Sequence, residues 1–420
     1  MANASSSSIY EKLSIIKGDR EVSLEFKTTS FDYYESLLSP NVTATMTFVD
    51  TAGALKNEKE NRIGTIYNTL PITGGEEIQF IINSKLGVIK DNLFVNTAVN
   101  LNQESQRESV ALSLVSKEGL SNHNIAVSGD YNGNIKNSVE KILTTKFNVP
   151  KNQLDLDETG NSYSFKGLNE TPFDIILDLA SKSTFAQGNP GFFFYQTKDG
   201  FKFKSIDSLI IQEPKAYYKY YGVMKSSVKD DQNDNKIISF SINKNQNLVN
   251  ALKSGVYESR NIFFNPRTFE FSESIYKIKN NELKKSLGKI IDYSPIESNN
   301  SYSRTHHRIL DVGFSSPGID TGINNDPRDY LPQSAMRYNI LMSQVLNMLV
   351  PCNPNLVAGD AIVCEFESLS DQKELGSFDL NQSGKYIILN LCHHFDPQRS
   401  FTSLTLVRDS FGIYTNKNKK

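Results

Sequence analysis

Period-two alternation of apolar and polar side chains is the property of this sequence that most restricts its fold. Between residues 41 and 49, one face of an extended chain carries the apolar side chains Val42, Ala44, Met46 and Phe48. Residues 70–82 repeat the alternation around a Gly74–Gly75 turn. Such runs are typical of strands with one face in a core. Several short strands separated by turns predict an antiparallel barrel or sandwich between about residues 23 and 116.

The size and charge of the chain restrict the class of protein. Its 420 residues correspond to two or three domains, at about 150 residues per domain. Hydrophobic residues make up 38%, which is sufficient for a packed core, and the abundant Tyr (19) and Phe (25) favour strands. The 45 basic and 47 acidic side chains leave a net charge of -2. That balance argues against a dedicated nucleic-acid binder and against a surface attracted to anionic membranes.

The cysteines and the N-terminus indicate a reducing compartment. Cys352, Cys364 and Cys392 are odd in number and widely spaced, and no CxxC pair is present, so we expect small buried apolar side chains. The first eight residues lack the basic and apolar regions of a secretory signal. No apolar run approaches the roughly 18 residues of a membrane helix. We therefore expect a protein that is made and folded in the cytoplasm.

The middle of the chain has a different pattern, which predicts a mixed α+β module. Apolar residues at helical spacing predict helices over residues 137–147 and from Thr171, which is placed to cap the second helix. The aromatic run 192–195, the Lys-Asp-Gly turn at 198–200 and the apolar residues that follow predict a β-hairpin.

The last half of the chain predicts a second β-rich module with one long helix. An apolar stripe at helical spacing predicts an amphipathic helix over residues 329–350, which Pro351 would end. Residues 211–305 predict strands and an irregular insertion that contains a polar loop at 229–236. Strand-like runs follow the helix at residues 361–366, 386–392 and 401–407.

The predicted fold class is β-rich α+β with several domains. The two ends of the chain are antiparallel β modules, and a mixed segment lies between them. The predicted divisions are residues 1–118, 119–210, 211–305 and 306–420, the last of which includes the helix 329–350.

One acidic stretch has the first half of a calcium-binding loop. Asp155, Asp157 and Thr159 occupy the first, third and fifth positions of such a loop, and Gly160 occupies the sixth. The twelfth position requires a bidentate glutamate and is Lys166 instead. We interpret the stretch as an acidic surface turn.

Two histidine doublets, His306–His307 and His393–His394, have the residue type of metal ligands. Adjacent side chains of a strand point to opposite faces, so neither doublet can hold one ion by itself. We interpret them as strand histidines, and pairing across the two doublets stays open. His123 stands alone in a polar segment.

The motifs of common enzyme classes are absent from the sequence. It contains no GxSxG, GxxxxGK[ST], GxGxxG or HExxH. The aromatic runs 192–195 and 217–221 have the composition of a stacking platform for bases or sugars, but such runs are more often core and interface residues. We assign no catalytic, cofactor-binding or metal-binding residue, and we predict that the protein is not an enzyme.

Stretches distributed along most of the chain share the pattern of one known family. They are residues 31–50 in the first β module, 171–176 and 191–209 in the middle, and 358–360, 384–388, His394 and 404–410 near the end. Together they resemble the baseplate hub protein of T-even-like contractile phage tails, a family related to the spike hubs of contractile injection systems. Residues 225–330 match the pattern poorly.

The resemblance implies a structural virion protein at the axis of a phage tail. It implies a homotrimer with two tube-like β-barrels per chain, which adapts a sixfold tail tube to a threefold cell-puncturing spike. The implied partners are the spike, the tail tube or a tube-adaptor protein, baseplate wedge proteins and the tape measure protein. Assembly would take place in the cytoplasm of the host bacterium. DNA would pass through the axial channel during genome ejection without specific binding, which a near-zero net charge favours.

Two alternative functions remain open at this point. The first is a virion-associated glycan or peptidoglycan hydrolase, whose carboxylate pair is defined by a separation in space that a sequence does not give. The second is the hub of a phage-tail-like bacterial injection system. The segments that we expect to test first for intersubunit contacts are the turn at residues 39–41 and the helix 329–350.

Overall fold

A computed structural model gives the architecture of most of the chain. The described residues are 7–51, 55–57, 62–66, 70–104, 107–186, 189–220, 234–244, 248–255, 257–277, 287, 304–311, 313, 325–367, 378–379 and 381–410. Most of the polar loop predicted at residues 229–236 lies outside these ranges.

Strands are the main elements of the described residues. The N-terminal part contains β1 Ile9–Lys17, β2 Arg20–Ser23, β3 Thr28–Ser36, β4 Thr43–Thr51, β5 Leu55–Asn57, β6 Arg62–Gly64, β7 Glu77–Ser84, β8 Gly87–Glu104 and β9 Arg107–Val115. The middle contains α1 Lys117–Asn122, β10 Val127–Tyr131, α2 Ile135–Lys146, β11 Leu154–Leu156, β12 Phe165–Glu170, α3 Pro172–Lys182, β13 Phe192–Thr197, β14 Gly200–Ser205 and α4 Ile206–Ile211. The C-terminal part contains β15 Ala216–Tyr220, β16 Ser239–Lys244, α5 Leu248–Lys253, β17 Glu258–Asn265, β18 Glu270–Lys277, β19 Arg304–Ile309, α6 Pro327–Leu341, β20 Gln344–Pro351, β21 Ala361–Phe366, β22 Gly384–Phe395 and β23 Ser400–Arg408.

Thirteen of these strands, from both ends of the chain, form one sheet. Its order is β16-β20-β23-β22-β3-β4-β9-β8-β7-β1-β2, with β21 paired to β22 and β15 paired to β21. The two β modules join where β22 pairs antiparallel with β3, from Asn390 opposite Ser36 to Phe395 opposite Phe31. The modules therefore share backbone hydrogen bonds rather than packing as independent sheets.

The N-terminal part of this sheet curls around its own core. Strands β3 and β7 are four pairings apart, which is about 19 Å in a flat sheet. The ring centroids of Phe31 and Phe80 on these strands are nevertheless 4.8 Å apart. Strand β1 is six pairings from β22, and yet its Tyr10 hydroxyl donates to the Phe395 carbonyl at 3.1 Å. The enclosed core contains the alternating apolar residues of β4 and its preceding turn, as the sequence predicts.

The C-terminal part curls around a second core. Strands β16 and β21 are four pairings apart, but the ring centroids of Phe240 and Phe366 are 4.6 Å apart. Just before β16, the Ile237 N–H donates to the Lys219 carbonyl at 2.9 Å, and the Lys219 N–H donates to the Asn235 carbonyl at 2.9 Å. These bonds bring the first and last strands of this half together. The buried side chains around the core include Tyr218, Leu346, Met348, Ile362, Ile388 and Leu406.

These observations confirm the predicted fold class in its coarse form, which is a β-rich chain with few helices and several modules. The strand pairings of the described residues form an open path, and the predicted domain boundaries stay predictions. In the same residues, no helix has the length and the apolar character that crossing a membrane requires.

The middle module has helices and a hairpin where the sequence predicts them. Helix α2 covers most of residues 137–147, and Thr171 caps α3 by accepting a hydrogen bond from the Asp174 N–H at 3.4 Å. Strands β13 and β14 pair antiparallel from Phe192 to Thr197. Every residue of β13 is buried, so the aromatic run 192–195 belongs to the core.

The helix predicted over residues 329–350 is wrong in its second half. Helix α6 begins after Asp326, whose carboxylate accepts a hydrogen bond from the Arg328 N–H at 2.9 Å, and it ends at Leu341. Residues 344–351 form β20 instead, which pairs antiparallel with both β16 and β23. Its alternate residues Gln344, Leu346, Met348 and Val350 are buried. Short apolar runs fit both periods, and the two neighbouring strands decide the outcome by supplying hydrogen-bond partners on both sides.

A separate three-stranded sheet lies beside α6. Strand β17 is central, antiparallel to β18 and parallel to β19. Met336 and Ile340 of α6 pack with Tyr257 and Tyr276 on one face of this sheet. The sheet falls in the part of the chain where the sequence pattern is least regular.

Candidate functional site

The N-terminal strands, the middle hairpin and the C-terminal sheet meet around one buried carboxylate. Glu35 on β3 is 2% exposed. One of its oxygens accepts a hydrogen bond from the Lys198 N–H in the β13–β14 turn at 2.7 Å, and the other accepts one from the Ala358 N–H at 2.9 Å. We call this meeting place the junction, and its residues are Glu35, Tyr195, Gln196, Lys198, Ala358 and Gly359.

Burial raises the pKa of Glu35 to about 7, and the hydrogen bonds from Lys198 and Ala358 oppose that rise. The Tyr33 hydroxyl lies 3.4 Å from Glu35 Oε1 and 3.5 Å from Asp91 Oδ2. Burial also raises the pKa of Asp91 to about 6. Because a hydroxyl has one proton, Tyr33 can donate to one of the two carboxylates at a time. Burial therefore raises the pKa of Glu35 and of the neighbouring Asp91 toward neutral pH.

Gln196 connects the middle hairpin to the N-terminal module. Its side-chain oxygen accepts a hydrogen bond from the Val42 N–H at 3.2 Å, and its amide donates to Glu118 at 3.1 Å. The Lys198 ammonium donates to the carbonyl of Pro354 in the C-terminal module. The hairpin is thus hydrogen-bonded to both β modules.

The Gly359 backbone lies so close to the hairpin that a residue with a Cβ atom does not fit there. Its φ is +88°, and a Cβ atom would overlap the Tyr195 hydroxyl and lie 2.9 Å from the ring carbon that bears it. The Gly359 carbonyl accepts a hydrogen bond from the Gln212 amide at 2.7 Å. Asp360 accepts a hydrogen bond from the Val357 N–H at 2.9 Å. The stretch 358–360, which carries part of the family resemblance, therefore has a structural role at the junction.

A buried ion pair ties α6 to the middle module. Arg337 donates to Asp207 at 2.8 and 3.2 Å and to the Pro190 carbonyl at 2.8 Å, and both charged side chains are buried. The neighbouring Tyr338 hydroxyl accepts a hydrogen bond from the Phe192 N–H at 2.9 Å. The helical part of the predicted segment 329–350 thus makes contacts within the chain.

The acidic stretch at residues 155–160 has its carboxylates engaged by protein donors. Asp155 lies 3.1 Å from the Lys202 ammonium, and Asp157 accepts a hydrogen bond from the Ser205 N–H at 2.9 Å. Among the residues that the structure describes, no group of three His, Cys, Asp or Glu side chains is placed to hold a metal ion.

The histidine doublets lie on strands, and their side chains differ in burial. His393 is fully buried beside Thr402 at 2.9 Å, and burial lowers its pKa to about 3. His394, the next residue of β22, is partly exposed and lies 2.5 Å from Asp32. The His306–His307 doublet is on β19, in the three-stranded sheet.

The remaining candidate positions lie at separate places in the fold. Cys352 and Cys364 are buried and Cys392 is partly buried, and all three are free thiols. In the aromatic run 217–221, Tyr217 is exposed and Tyr218 is buried, while residue 221 lies outside the described ranges. In the turn 39–41, the Ser39 hydroxyl donates to the Asn41 carbonyl at 3.0 Å.

The junction was not predicted from the sequence, although one residue of it has a signal. Phe31, Tyr33 and Glu35 share the inward face of β3, so a charged residue occupies a core position. Lys198 and Ala358 contribute backbone N–H groups, which every residue type except proline has, so their residue types do not predict this role.

Comparison with known proteins gives a full-length relative. A probable baseplate hub protein of Vibrio phage KVP40, gp334, is 22% identical over 447 aligned positions that cover 97% of this chain and 96% of the relative. The chain resembles phage baseplate hub proteins. No family model matches it.

Two solved structures have the same fold along nearly the whole chain. A tail protein from Neisseria meningitidis MC58 superimposes with a TM-score of 0.54 and 11% identity, covering 96% of this chain and 97% of that one. The 43 kDa tail protein of prophage MuSo2 from Shewanella oneidensis superimposes with a TM-score of 0.52 and 10% identity, covering 96% of this chain and 100% of that one. These structures show the fold. The full-length relative confirms the resemblance to baseplate hubs and supports a structural role in a phage tail baseplate.

Proposed function

We propose that this protein is the central hub of a contractile phage tail baseplate, a structural component of the virion without a catalytic role. The observation that carries the proposal is the similarity to a baseplate hub protein over 97% of the chain. The junction agrees with a structural role, because its buried polar groups hydrogen-bond to one another and to backbone and hold three parts of the chain together.

Each half of the large sheet forms a tube-like barrel in this proposal. The short distances between Phe31 and Phe80, and between Phe240 and Phe366, support it, because they require each half to curl strongly. The Tyr10–Phe395 and Ile237–Lys219 hydrogen bonds support closure at the seam of each half. The β22–β3 pairing would hold the two barrels of one chain side by side.

Three copies would then place six barrels around the tail axis. Such a ring has a sixfold surface for the tail tube or a tube adaptor and a threefold surface for the spike. The baseplate wedge proteins and the tape measure protein are further partners in this proposal. Assembly takes place in the host cytoplasm, and the finished hub resides in the virion.

The channel of this ring must let DNA pass without holding it. Each phosphate that a basic side chain neutralises adds a salt-dependent attraction. The net charge of -2 supports a lining that is neutral or acidic on balance. A ring of Lys and Arg side chains around the trimer axis in an assembled structure would rule this out.

The test is molar mass by light scattering, on the purified chain alone and after co-expression with the spike protein. A mass of three times 47.2 kDa under either condition supports the hub. A chain that stays monomeric in both would contradict it. Release of fragments from purified peptidoglycan or cell-wall glycan by the same preparation would favour the hydrolase instead.

A further inference from the structure

The three-stranded sheet exposes an apolar row on the face opposite α6. The strand register places Phe264 of β17 directly between Phe271 of β18 and Ile309 of β19. Phe271 is 72% exposed and Ile309 is 69% exposed, and the rings of Phe264 and Phe271 lie 5.1 Å apart. The row thus crosses all three strands, and its two outer members face the solvent.

Phe269, in the β17–β18 turn, extends this row and has an unfavourable backbone conformation. Its φ is +56°, a left-handed conformation that Gly and Asn adopt more readily than an aromatic residue. Its side chain is 78% exposed, and its ring centroid lies 6.2 Å from that of Phe264. A bulky apolar residue that is both conformationally unfavourable and exposed indicates a function outside the folding of this chain.

Two ion pairs lie beside the row on β17 and β18. Arg260 donates to both oxygens of Glu273 at 2.7 and 2.6 Å, and Lys277 lies 3.0 Å from Glu258. These pairs leave little net charge to attract nucleic acid or anionic lipid. A surface with so little net charge does not repel a surface of either sign on a second copy of the chain.

We propose that the apolar row and Phe269 form a docking surface for a second copy of this chain. The inference rests on the trimer of the proposed function, and it names one of its contact surfaces. In a closed ring of three, the row of one copy meets a different surface of the next copy. The exposed parts of Phe269, Phe271, Ile309 and the nearby Ile275 amount to on the order of 400 Å². That is about half of the roughly 800 Å² per partner that a stable interface buries.

The test compares the assembly of the wild type with that of a double variant, Phe269→Asn with Phe271→Ser. Asn tolerates the left-handed conformation, so the variant removes both rings without adding backbone strain. Sedimentation over a range of concentrations, under the condition in which the wild type assembles, measures the dissociation constant. We expect it to rise at least tenfold in the double variant. The control is Phe26→Ser, which removes a 98% exposed ring from the N-terminal module.

A second measurement, photo-cross-linking, detects the contact in the folded protein. A photo-reactive benzophenone amino acid at position 271 should cross-link to another copy of the chain, and mass spectrometry locates the contact. If the wild type is a trimer and the double variant has the same dissociation constant, the inference is overturned. Cross-linking from position 271 only within one chain of the trimer also overturns it. Both outcomes leave the proposed function intact. If the wild type is monomeric both alone and with the spike, the trimer of the proposed function is contradicted as well. Failure of the inference and failure of the proposed function are therefore distinguishable.

Discussion

Glu35 accepts a hydrogen bond from the Ala358 N–H at 2.9 Å, across 323 residues of sequence. The same carboxylate accepts a hydrogen bond from the Lys198 N–H, so one buried acid contacts segments from three parts of the chain. These contacts hold the N-terminal strands, the middle hairpin and the C-terminal sheet together. Contacts that use both oxygens of one buried group serve that purpose, because their loss leaves polar groups unsatisfied on every side.

Replacing Glu35 by Ala removes both acceptors, so the buried Ala358 N–H and the partly buried Lys198 N–H lose their partner. A buried donor left unsatisfied costs about 1–3 kcal/mol and a partly buried one costs less, so we expect the free energy of unfolding to fall by about 2–4 kcal/mol. Denaturant unfolding at pH 5 measures the change. The control is Glu170→Ala, on an exposed residue of β12, for which we expect a change below about 0.5 kcal/mol. Equal effects of the two substitutions would contradict the role of the junction.

The titration of Glu35 makes stability depend on pH in a defined direction. Its pKa is about 7 in the folded chain, whereas an ordinary glutamate has a pKa of 4.5. The folded state therefore binds the proton more tightly than the unfolded state. Its stabilising contribution is full below pH 4.5 and is lost as the pH rises through 7. Between pH 5 and pH 8 we expect the wild type to lose about 2–3 kcal/mol relative to Glu35→Gln, which does not titrate. Parallel stability curves for the two proteins would disprove this assignment.

His393 has the opposite pH dependence. Burial lowers its pKa from 6.5 to about 3, so the unfolded chain binds the proton more tightly. Its contribution is present above pH 6.5 and is lost as the pH falls toward 3. We expect the wild type to lose about 2 kcal/mol between pH 6.5 and pH 5 relative to His393→Gln, measured by urea unfolding. The matched control is His123→Gln, on an exposed histidine.

The sequence predicts the strands better than the way they join. Alternation identifies β4 and β7, and the cap at Thr171 identifies the start of α3, because these signals depend on neighbouring residues. The β22–β3 pairing joins residues more than 350 positions apart, and nothing local specifies it. The same reason explains the error over residues 344–351, where partners distant in sequence convert an expected helix into a strand. Of the junction, only Glu35 has a local signal, because it is a charged residue at an inward-facing position.

The close approach of Gly359 to Tyr195 predicts a large cost for a single added methyl group. In Gly359→Ala, the Cβ atom overlaps the tyrosine hydroxyl in addition to the strain of a positive φ. The control is Gly75→Ala, where φ is +86° and no atom lies within 4 Å of the added Cβ. We expect the control to cost about 1–2 kcal/mol from the backbone alone. Overpacking adds about 1–3 kcal/mol more to Gly359→Ala, measured by thermal unfolding. If the two substitutions lower the free energy of unfolding equally, then Tyr195 can shift away from the added Cβ atom without an energetic penalty.

The Arg337–Asp207 pair predicts strong coupling between α6 and the middle module. Arg337→Met leaves the Asp207 carboxylate buried without its counter-charge, and breaking a buried pair in this way costs about 3–5 kcal/mol. Adding Asp207→Asn removes the unpaired charge, so the double variant should recover most of that loss. A double-mutant cycle by denaturant unfolding gives the coupling energy between the two residues.

The matched control for that cycle is the pair of Lys151 and Glu140, in which the lysine is exposed and the ions lie 2.7 Å apart. Its coupling should be much weaker than that of the buried pair, because solvent screens an exposed pair. If the buried pair couples no more strongly than this control, then α6 is held to the middle module by its apolar contacts and by Tyr338. In that case Tyr338→Phe, which removes the hydroxyl that accepts from the Phe192 N–H, should be the more destabilising substitution.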